Sequence, residues 1–179
     1  MRHILVLGGI RSGKSEYAER LVADAAAVTY VATAVEYPDD PQWRQRIKAH
    51  QERRPPAWAT VEIGHDPTVL PTLLRRTDPD HALLIDDLGA WVTALLDAAG
   101  WSGPEPALRA AQPLAEAIRS CPGRLVLVSP EVGLSVVPDN RVARVFADAL
   151  GGVNRAVADA CDRVLLVVAG QALTVKGTV

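Results

Sequence analysis

Residues 8–15 read Gly-Gly-Ile-Arg-Ser-Gly-Lys-Ser, and these residue types are suited to holding phosphate groups. Glycines let the backbone curl so that successive N–H groups point into one hollow. A glycine, four residues and then Gly-Lys-Ser is the spacing of a P-loop, in which the lysine reaches terminal phosphates and the hydroxyl ligates Mg²⁺. We therefore predict that a nucleoside triphosphate binds here. The predicted binding residues are Gly8, Gly9, Ile10, Arg11, Ser12, Gly13, Lys14 and Ser15.

A P-loop needs a second anchor for its metal, and two aspartates follow the apolar run Ala82–Ile85. A carboxylate at the carboxyl end of such a strand has the form of a Walker B acid. Either Asp86 or Asp87 could hold the Mg²⁺ through water while the other caps the following helix. We favour Asp86, so the predicted metal ligands are Ser15 and Asp86.

Residues 43–58 form a basic segment in which arginines surround a histidine. On a helix, Arg46, His50, Arg53 and Arg54 would share one face. One interpretation is a solvated basic face with an uninvolved histidine. The other is that the arginines neutralise a triphosphate and His50 attacks its α-phosphorus, since neutral imidazole is a competent nucleophile. That attack would form a phosphoramidate and release pyrophosphate.

Three further side chains have two interpretations each. Glu131 follows a predicted strand, where it would either position an acceptor hydroxyl or cap its own loop. Trp58 and Trp91 are interpreted as packing residues in preference to base-stacking ones. The other three histidines lie before a strand or in turn-like contexts, and we assign them no chemistry.

Short apolar runs alternate with helical segments along the chain, a pattern typical of an α/β fold. The predicted strands are His3–Leu7, Val28–Ala34, Ala59–Ile63, Ala82–Ile85, Arg124–Val128 and Val164–Ala169. The predicted helices are Lys14–Ala27, Trp43–Arg54, Pro67–Arg76, Leu88–Ala99, Ala107–Ser120 (broken by Pro113 or beginning near it) and Asn140–Cys161, with Gly151-Gly152 as a weak point. We expect a mostly parallel sheet with helices on both faces and ligands at the carboxyl ends of its strands.

Length and composition restrict the class of protein. A chain of 179 residues, 49% of them hydrophobic, is expected to fold as one domain over residues 1–179. A net charge of −2 argues against non-specific nucleic-acid binding. No apolar run reaches the roughly 18 residues of a membrane span, and the amino terminus reads as a strand and not as a signal peptide. Cys121 and Cys161 lack metal-ligand spacing and are interpreted as reduced packing residues of a cytoplasmic protein.

Taken in order, several stretches resemble one known family. GGIRSGKS, YVATA, RIKAHQERRPPAWATVE, LLIDDL and VSPEVGLSVVPDNRVARVFADALGGVNRAVADACDRVLLVVAG are similar to the bifunctional adenosylcobinamide kinase / adenosylcobinamide-phosphate guanylyltransferase of cobalamin biosynthesis. The resemblance implies a P-loop domain with a RecA-like sheet that phosphorylates adenosylcobinamide with ATP or GTP. It also implies transfer of GMP from GTP to adenosylcobinamide phosphate, carried on a histidine that matches His50, and a homo-oligomer, typically a trimer.

The same resemblance implies nucleotide contacts outside the P-loop, and it makes His50 and Lys14 the expected catalytic residues. Those further contacts match Thr33, Ala34, Val35, Gln51, Glu52, Arg53, Arg54, Glu62 and Asp86. Arg144 and Asn154 match the family's long helix, where they would bind corrinoid, meet a neighbouring subunit or pack.

The chain departs from the family at two places. The family usually has Asp-Cys-Leu-Thr where residues 86–89 read Asp-Asp-Leu-Gly, and Ser-Asn-Glu-Val-Gly where residues 129–133 read Ser-Pro-Glu-Val-Gly. If the groups missing at Gly89 and Pro130 touch the acceptor, the chain is a guanylyltransferase whose kinase activity is lost. A third alternative is a nucleotide-binding regulatory module without turnover, which predicts no covalent nucleotide on His50.

Overall fold

A computed structural model of this chain describes residues 2–35 and 54–178. The strands in these residues are β1 (His3–Gly8), β2 (Ala27–Ala32), β3 (Ala59–Glu62), β4 (His81–Asp86), β5 (Arg124–Pro130), β6 (Arg163–Val168) and β7 (Gln171–Lys176). The helices are α1 (Lys14–Val22), α2 (Leu70–Arg75), α3 (Leu88–Ala98), α4 (Glu105–Ser120) and α5 (Arg141–Ala160), with a 3-10 turn at Pro67–Val69 before α2. The helix predicted for Trp43–Arg54 lies outside the described residues, apart from Arg54.

These strands form one sheet in the order β3-β2-β4-β5-β1-β6-β7. All neighbouring pairs from β3 to β6 are parallel, and β7 alone among the described strands pairs antiparallel, with β6. The predicted α/β fold with a mostly parallel sheet is therefore confirmed. In the described part of the chain, no helix is long and apolar enough to cross a bilayer.

Apolar side chains lie on both faces of the sheet because successive strand residues point to opposite sides. In β1, Leu5 belongs to the core beneath α2, α3, α4 and α5. Ile4 and Val6 belong to the core on the opposite face, where α1 packs. Continuous apolar runs in these strands thus reflect a sheet covered on both faces.

The first predicted helix was wrong in its bounds, and one strand was missed. Helix α1 ends at Val22 and not at Ala27, because Ala27 already pairs with His81 at the start of β2. Residues 23–26 make the turn between the two elements. The last predicted strand corresponds to β6, yet a hairpin through Ala169 and Gly170, both with positive φ, leads directly into β7.

Pro113 was expected to break or begin a helix, and this expectation was wrong. Helix α4 begins at Glu105 and runs unbroken through Pro113, which lies on the solvent side, whereas Leu114 and Ala111 are buried. The predicted weak point at Gly151-Gly152 lies inside the continuous α5. A Cβ at Gly152 would meet Cδ2 of Leu108, so this glycine faces α4.

Candidate active site

The carboxyl ends of β1, β2, β4 and β5 meet at one edge of the sheet, and the predicted P-loop lies there between β1 and α1. A Cβ on Gly8 would lie 2.8 Å from the Val167 carbonyl oxygen, so only glycine fits that position. Gly13 has a φ of 89°, which favours glycine for its backbone conformation. The Ser12 carbonyl accepts a hydrogen bond of 2.8 Å from the N–H of Gly170, so the β6–β7 turn supports the loop.

Lys14 lies along this loop. Its ammonium group donates to the Gly9 carbonyl oxygen at 3.4 Å, and its backbone N–H donates to the Ser12 hydroxyl at 3.3 Å. The P-loop thus brings a cation, a helix amino terminus and backbone N–H groups to one place, which is the arrangement that binds phosphate.

Asp86 is the carboxylate that faces the P-loop. The Ser15 hydroxyl donates to its Oδ1 at 3.2 Å, and the Tyr30 hydroxyl donates to its Oδ2 at 3.0 Å. Burial and the charge of Asp86 raise the pKa of Tyr30 far above its ordinary value, so the phenol stays protonated and remains a donor. The guanidinium carbon of Arg54 lies 3.4 Å from the centre of the Tyr30 ring. Sequence reasoning missed Tyr30, whose only signal was the presence of a tyrosine in the apolar run VTYVA.

Asp87 has a different position. Its carboxylate accepts the Ala90 N–H at 2.8 Å and caps α3, and its backbone carbonyl accepts the Thr33 hydroxyl at 2.6 Å. Burial and the neighbouring charge of Asp86 raise the pKa of Asp87 to about 6. Asp86 therefore faces Ser15 of the P-loop, whereas Asp87 caps α3.

The residues at this edge fit a magnesium ion by their chemistry. A serine hydroxyl and a carboxylate are hard oxygen ligands, and Mg²⁺ is typically held by one or two such groups together with substrate phosphates. Ser15 and Asp86 are already within hydrogen-bond distance of one another. Their roles as metal ligands stay predictions.

The turn after β2 packs closely against Gly64, which follows β3. Thr33, Ala34 and Val35 follow β2, and Glu62 ends β3 with an exposed side chain. A Cβ on Gly64 would lie 2.5 Å from the Ala34 carbonyl oxygen and 2.9 Å from the Val35 nitrogen, so this glycine allows a close backbone approach. Gly64 had no motif to mark it in the sequence. The nucleotide contacts assigned to these residues stay predictions.

His50, the predicted nucleophile, lies outside the described residues. The same holds for the predicted nucleotide contacts Gln51, Glu52 and Arg53. Arg54, the last of that group, is described and is the residue stacked on Tyr30.

Three residues with open alternatives make structural contacts. The Glu131 carboxylate accepts the Gly133 N–H at 2.6 Å and so caps its own loop. Asn154 is buried, accepts the Ser129 hydroxyl at 2.6 Å and donates to the Pro130 carbonyl at 3.0 Å, which fixes the end of β5. Arg144 donates to the backbone carbonyls just before α5, with distances of 2.9 and 2.6 Å.

The tryptophans also pack. Trp91 is 1% exposed, and its indole N–H donates to the Pro67 carbonyl at 2.7 Å. Trp58 lies partly buried against the core on the α1 face.

The two departures from the family pattern are in direct contact. A Cβ on Gly89 would lie 2.8 Å from Cγ and 3.1 Å from Cδ of Pro130. The proline ring therefore occupies the space that a side chain at position 89 would need.

An open pocket of about 240 Å³ lies next to this contact. We call it the α3–α5 pocket, since α3, the end of β5 and α5 form its walls. Its lining includes Val35, Asp87, Ala90, Ala94, Pro130 and Phe146.

Comparison with known proteins decides the family. Residues 4–175 match the family described as cobinamide kinase / cobinamide phosphate guanyltransferase. The chain belongs to this family. It is 40% identical over 175 residues to the bifunctional adenosylcobalamin biosynthesis protein CobP of Pseudomonas aeruginosa, covering 97% of this chain and 96% of that one. It is 41% and 39% identical over 184 residues to the bifunctional adenosylcobalamin biosynthesis proteins CobU of Salmonella typhimurium and Escherichia coli K12, covering 97% of this chain and 99% of each relative.

Solved structures share the fold at low identity. A prototypical ATPase of a bacterial type III secretion system superposes with a TM-score of 0.60 at 12% identity, over 97% of this chain and 56% of that one. The ATPase EscN of enteropathogenic E. coli gives 0.56 at 11%, over 94% and 43%. A protein from Pyrococcus horikoshii gives 0.56 at 8%, over 99% and 87%. These likenesses concern the fold alone and confirm the predicted α/β fold.

Proposed function

We propose that this chain phosphorylates adenosylcobinamide with ATP or GTP and then transfers GMP from GTP to adenosylcobinamide phosphate, giving adenosyl-GDP-cobinamide. The observation that carries the proposal is the contact between Ser15 and Asp86 beside a P-loop, in a chain that matches the family over residues 4–175. Neither observation favours a binding module without turnover.

In the kinase step, the acceptor hydroxyl oxygen forms a bond to the γ-phosphorus, and the bond from that phosphorus to the β-phosphate oxygen breaks. The hydroxyl proton leaves to solvent. Lys14 and the loop N–H groups stabilise the charge on the phosphates. When bound, Mg²⁺ neutralises further phosphate charge, and Ser15 and Asp86 are the residues that would hold it. Tyr30 fixes the Asp86 carboxylate for this task through the bond to its Oδ2.

In the transfer step, the proposed nucleophile is the imidazole of His50. A P–N bond forms to the α-phosphorus of GTP, and the bond to the pyrophosphate oxygen breaks. A phosphate oxygen of adenosylcobinamide phosphate then attacks the same phosphorus and releases the histidine. Support comes from the family match and from the basic segment around His50, whose Arg53 and Arg54 would neutralise the triphosphate.

The alternative of a guanylyltransferase without kinase activity rests on Gly89 and Pro130. At their contact one departure fills the space left by the other, so the edge beside Asp87 stays packed. The contact restores neither of the polar groups that the two departures remove, so the labelling test below decides between the two interpretations.

We further propose a homo-oligomer, a trimer by family resemblance, acting in the cytoplasm with residues 1–179 as one domain. Support for association comes from β7, which pairs only with β6 among the described strands and exposes Leu173 and Val175 by 60% and 65%. An exposed apolar edge strand is a ready surface for pairing with another chain. The cytoplasmic setting, where thiols stay reduced, suits the two free buried cysteines.

The test is to follow labelled phosphate into product. With γ-labelled ATP and adenosylcobinamide, we expect labelled adenosylcobinamide phosphate, and with α-labelled GTP and that phosphate, labelled adenosyl-GDP-cobinamide. Lys14→Ala should abolish the first product, whereas the control Arg119→Ala, which removes an exposed cation on α4, should still form it. If the wild-type protein forms labelled adenosyl-GDP-cobinamide but no labelled adenosylcobinamide phosphate, the guanylyltransferase alternative is established.

A further inference from the structure

We propose that the α3–α5 pocket binds the hydroxyalkyl arm of the corrinoid acceptor, the part that carries the hydroxyl to be phosphorylated. This inference rests on the proposed function and assigns the acceptor a place in the fold.

The pocket lies beside the phosphate-binding edge of the sheet. Asp87 is in its wall, and the adjacent Asp86 accepts the hydroxyl of Ser15. A group bound in the pocket therefore lies beside the edge where the terminal phosphates of a P-loop nucleotide are held. A phosphoryl acceptor has to reach that place.

The wall of the pocket is mostly apolar. Ala90, Ala94, Pro130 and Phe146 contribute this surface. Thr93 also lines it, but its hydroxyl already donates to the Gly89 carbonyl at 2.9 Å. A wall with so few polar groups suits a short alkyl arm with one hydroxyl. A nucleobase would need several donors and acceptors for its recognition.

The size of the pocket argues against a whole nucleotide as the occupant. Drug-sized ligands fill pockets of about 300–1,000 Å³, so about 240 Å³ accommodates only a part of a large ligand. Ala34 and Val35, two of the implied nucleotide contacts, also line the pocket, so its occupant would lie next to the nucleotide.

An exposed apolar side chain on α5 lies outside the pocket. Val142 lies one helical turn before Phe146 on α5 and is 49% exposed. A macrocycle too large for the pocket would rest here while its arm entered. Pro130, the departure from the family pattern, lines the pocket together with this helix and so shapes the space for the arm.

Ala94→Leu tests the inference, because the larger side chain would fill part of the pocket. The matched control is Ala98→Leu, the same change one turn later on α3, at an exposed position outside the pocket. For Ala94→Leu we expect the KM for adenosylcobinamide in the kinase reaction to rise about tenfold or more. The KM for ATP and the amount of GMP bound covalently after incubation with GTP alone should not change. Ala98→Leu should leave all three values unchanged.

An unchanged KM for adenosylcobinamide in folded Ala94→Leu would overturn the inference. A rise in the KM for ATP alone would also overturn it, because that result would place the nucleotide in the pocket. If Ala94→Leu does not fold, Phe146→Leu takes its place, with a higher KM for the acceptor expected and the same overturning results. Wild-type protein that forms neither labelled product would instead refute the proposed function, so the two failures are distinguishable.

Discussion

Gly89 and Pro130 should be energetically coupled, and Gly89→Ala should cost less stability once Pro130 is replaced. Alanine in place of a helical glycine normally stabilises a protein by about 0.5–1 kcal/mol. At position 89 the new Cβ would lie 2.8 Å from Cγ of Pro130 and 3.1 Å from its Cδ. Overpacking of this kind costs about 1–3 kcal/mol. The net expectation is that Gly89→Ala destabilises the protein by about 0.5–2 kcal/mol.

In a Pro130→Ala background the ring atoms are gone, but Asp87 Oδ1 still lies 3.1 Å from the new Cβ, so the same substitution should change stability by less than about 0.5 kcal/mol. The coupling energy between the two positions should therefore be about 1–2 kcal/mol. Urea unfolding of the four proteins, followed by circular dichroism, measures it. Gly151→Ala is the matched control, since a Cβ there meets no atom within 4 Å and should stabilise the protein equally in both backgrounds.

Additive effects, within about 0.5 kcal/mol, would refute the reasoning that these two departures compensate for each other. The same result would revive the view that each departure independently removes a group from the edge beside Asp87.

Three further predictions concern single side chains. Tyr30→Phe removes a hydrogen bond to the Asp86 carboxylate, worth about 1.5 kcal/mol, so calorimetry should show Mg²⁺–GTP binding about tenfold weaker; unchanged binding would contradict the role given to Tyr30. Asp162 accepts two backbone N–H groups at the start of β1, which lower its pKa, so it stabilises the fold above about pH 4 and this contribution is lost as the pH falls through the lowered pKa. Asp162→Asn should then lower the melting temperature by about 2 °C at pH 7 and by progressively less as the pH falls below about 4, and an equal shift at every pH would contradict this. Burial raises the thiol pKa of Cys121, and that of Cys161 to about 12, so neither should react with a disulfide reagent at pH 7.5 until the protein unfolds; rapid reaction of the native protein would be the opposite result.

The phosphate-binding part of the site could be predicted from the sequence because its signals are local. Residues 8–15 follow one another along the chain, and Asp86 is marked by the apolar strand directly before it. The alternation of strands and helices is also a local signal, and it predicted the mostly parallel sheet.

Contacts between distant residues could not be predicted in this way. Tyr30 lies 56 residues from Asp86, and nothing in its strand indicates the partner of its hydroxyl. Gly89 and Pro130 were recognised as separate departures, but their contact depends on how the end of β5 packs on α3. Strand β7 was missed because it follows a turn formed by Ala169 and Gly170, both with positive φ. Of these two residue types only glycine commonly adopts a positive φ, so the sequence gives a weak signal for this turn.

The central claim is covalent transfer of GMP through a histidine, and mass spectrometry of the intact protein tests it most directly. Wild type, His50→Ala and the exposed control His65→Ala are incubated with Mg²⁺ and GTP and denatured, and their intact masses are measured. We expect one added GMP, labile to acid, on the wild type and on His65→Ala, and none on His50→Ala. An unmodified wild type, or an adduct that persists in His50→Ala, would contradict it.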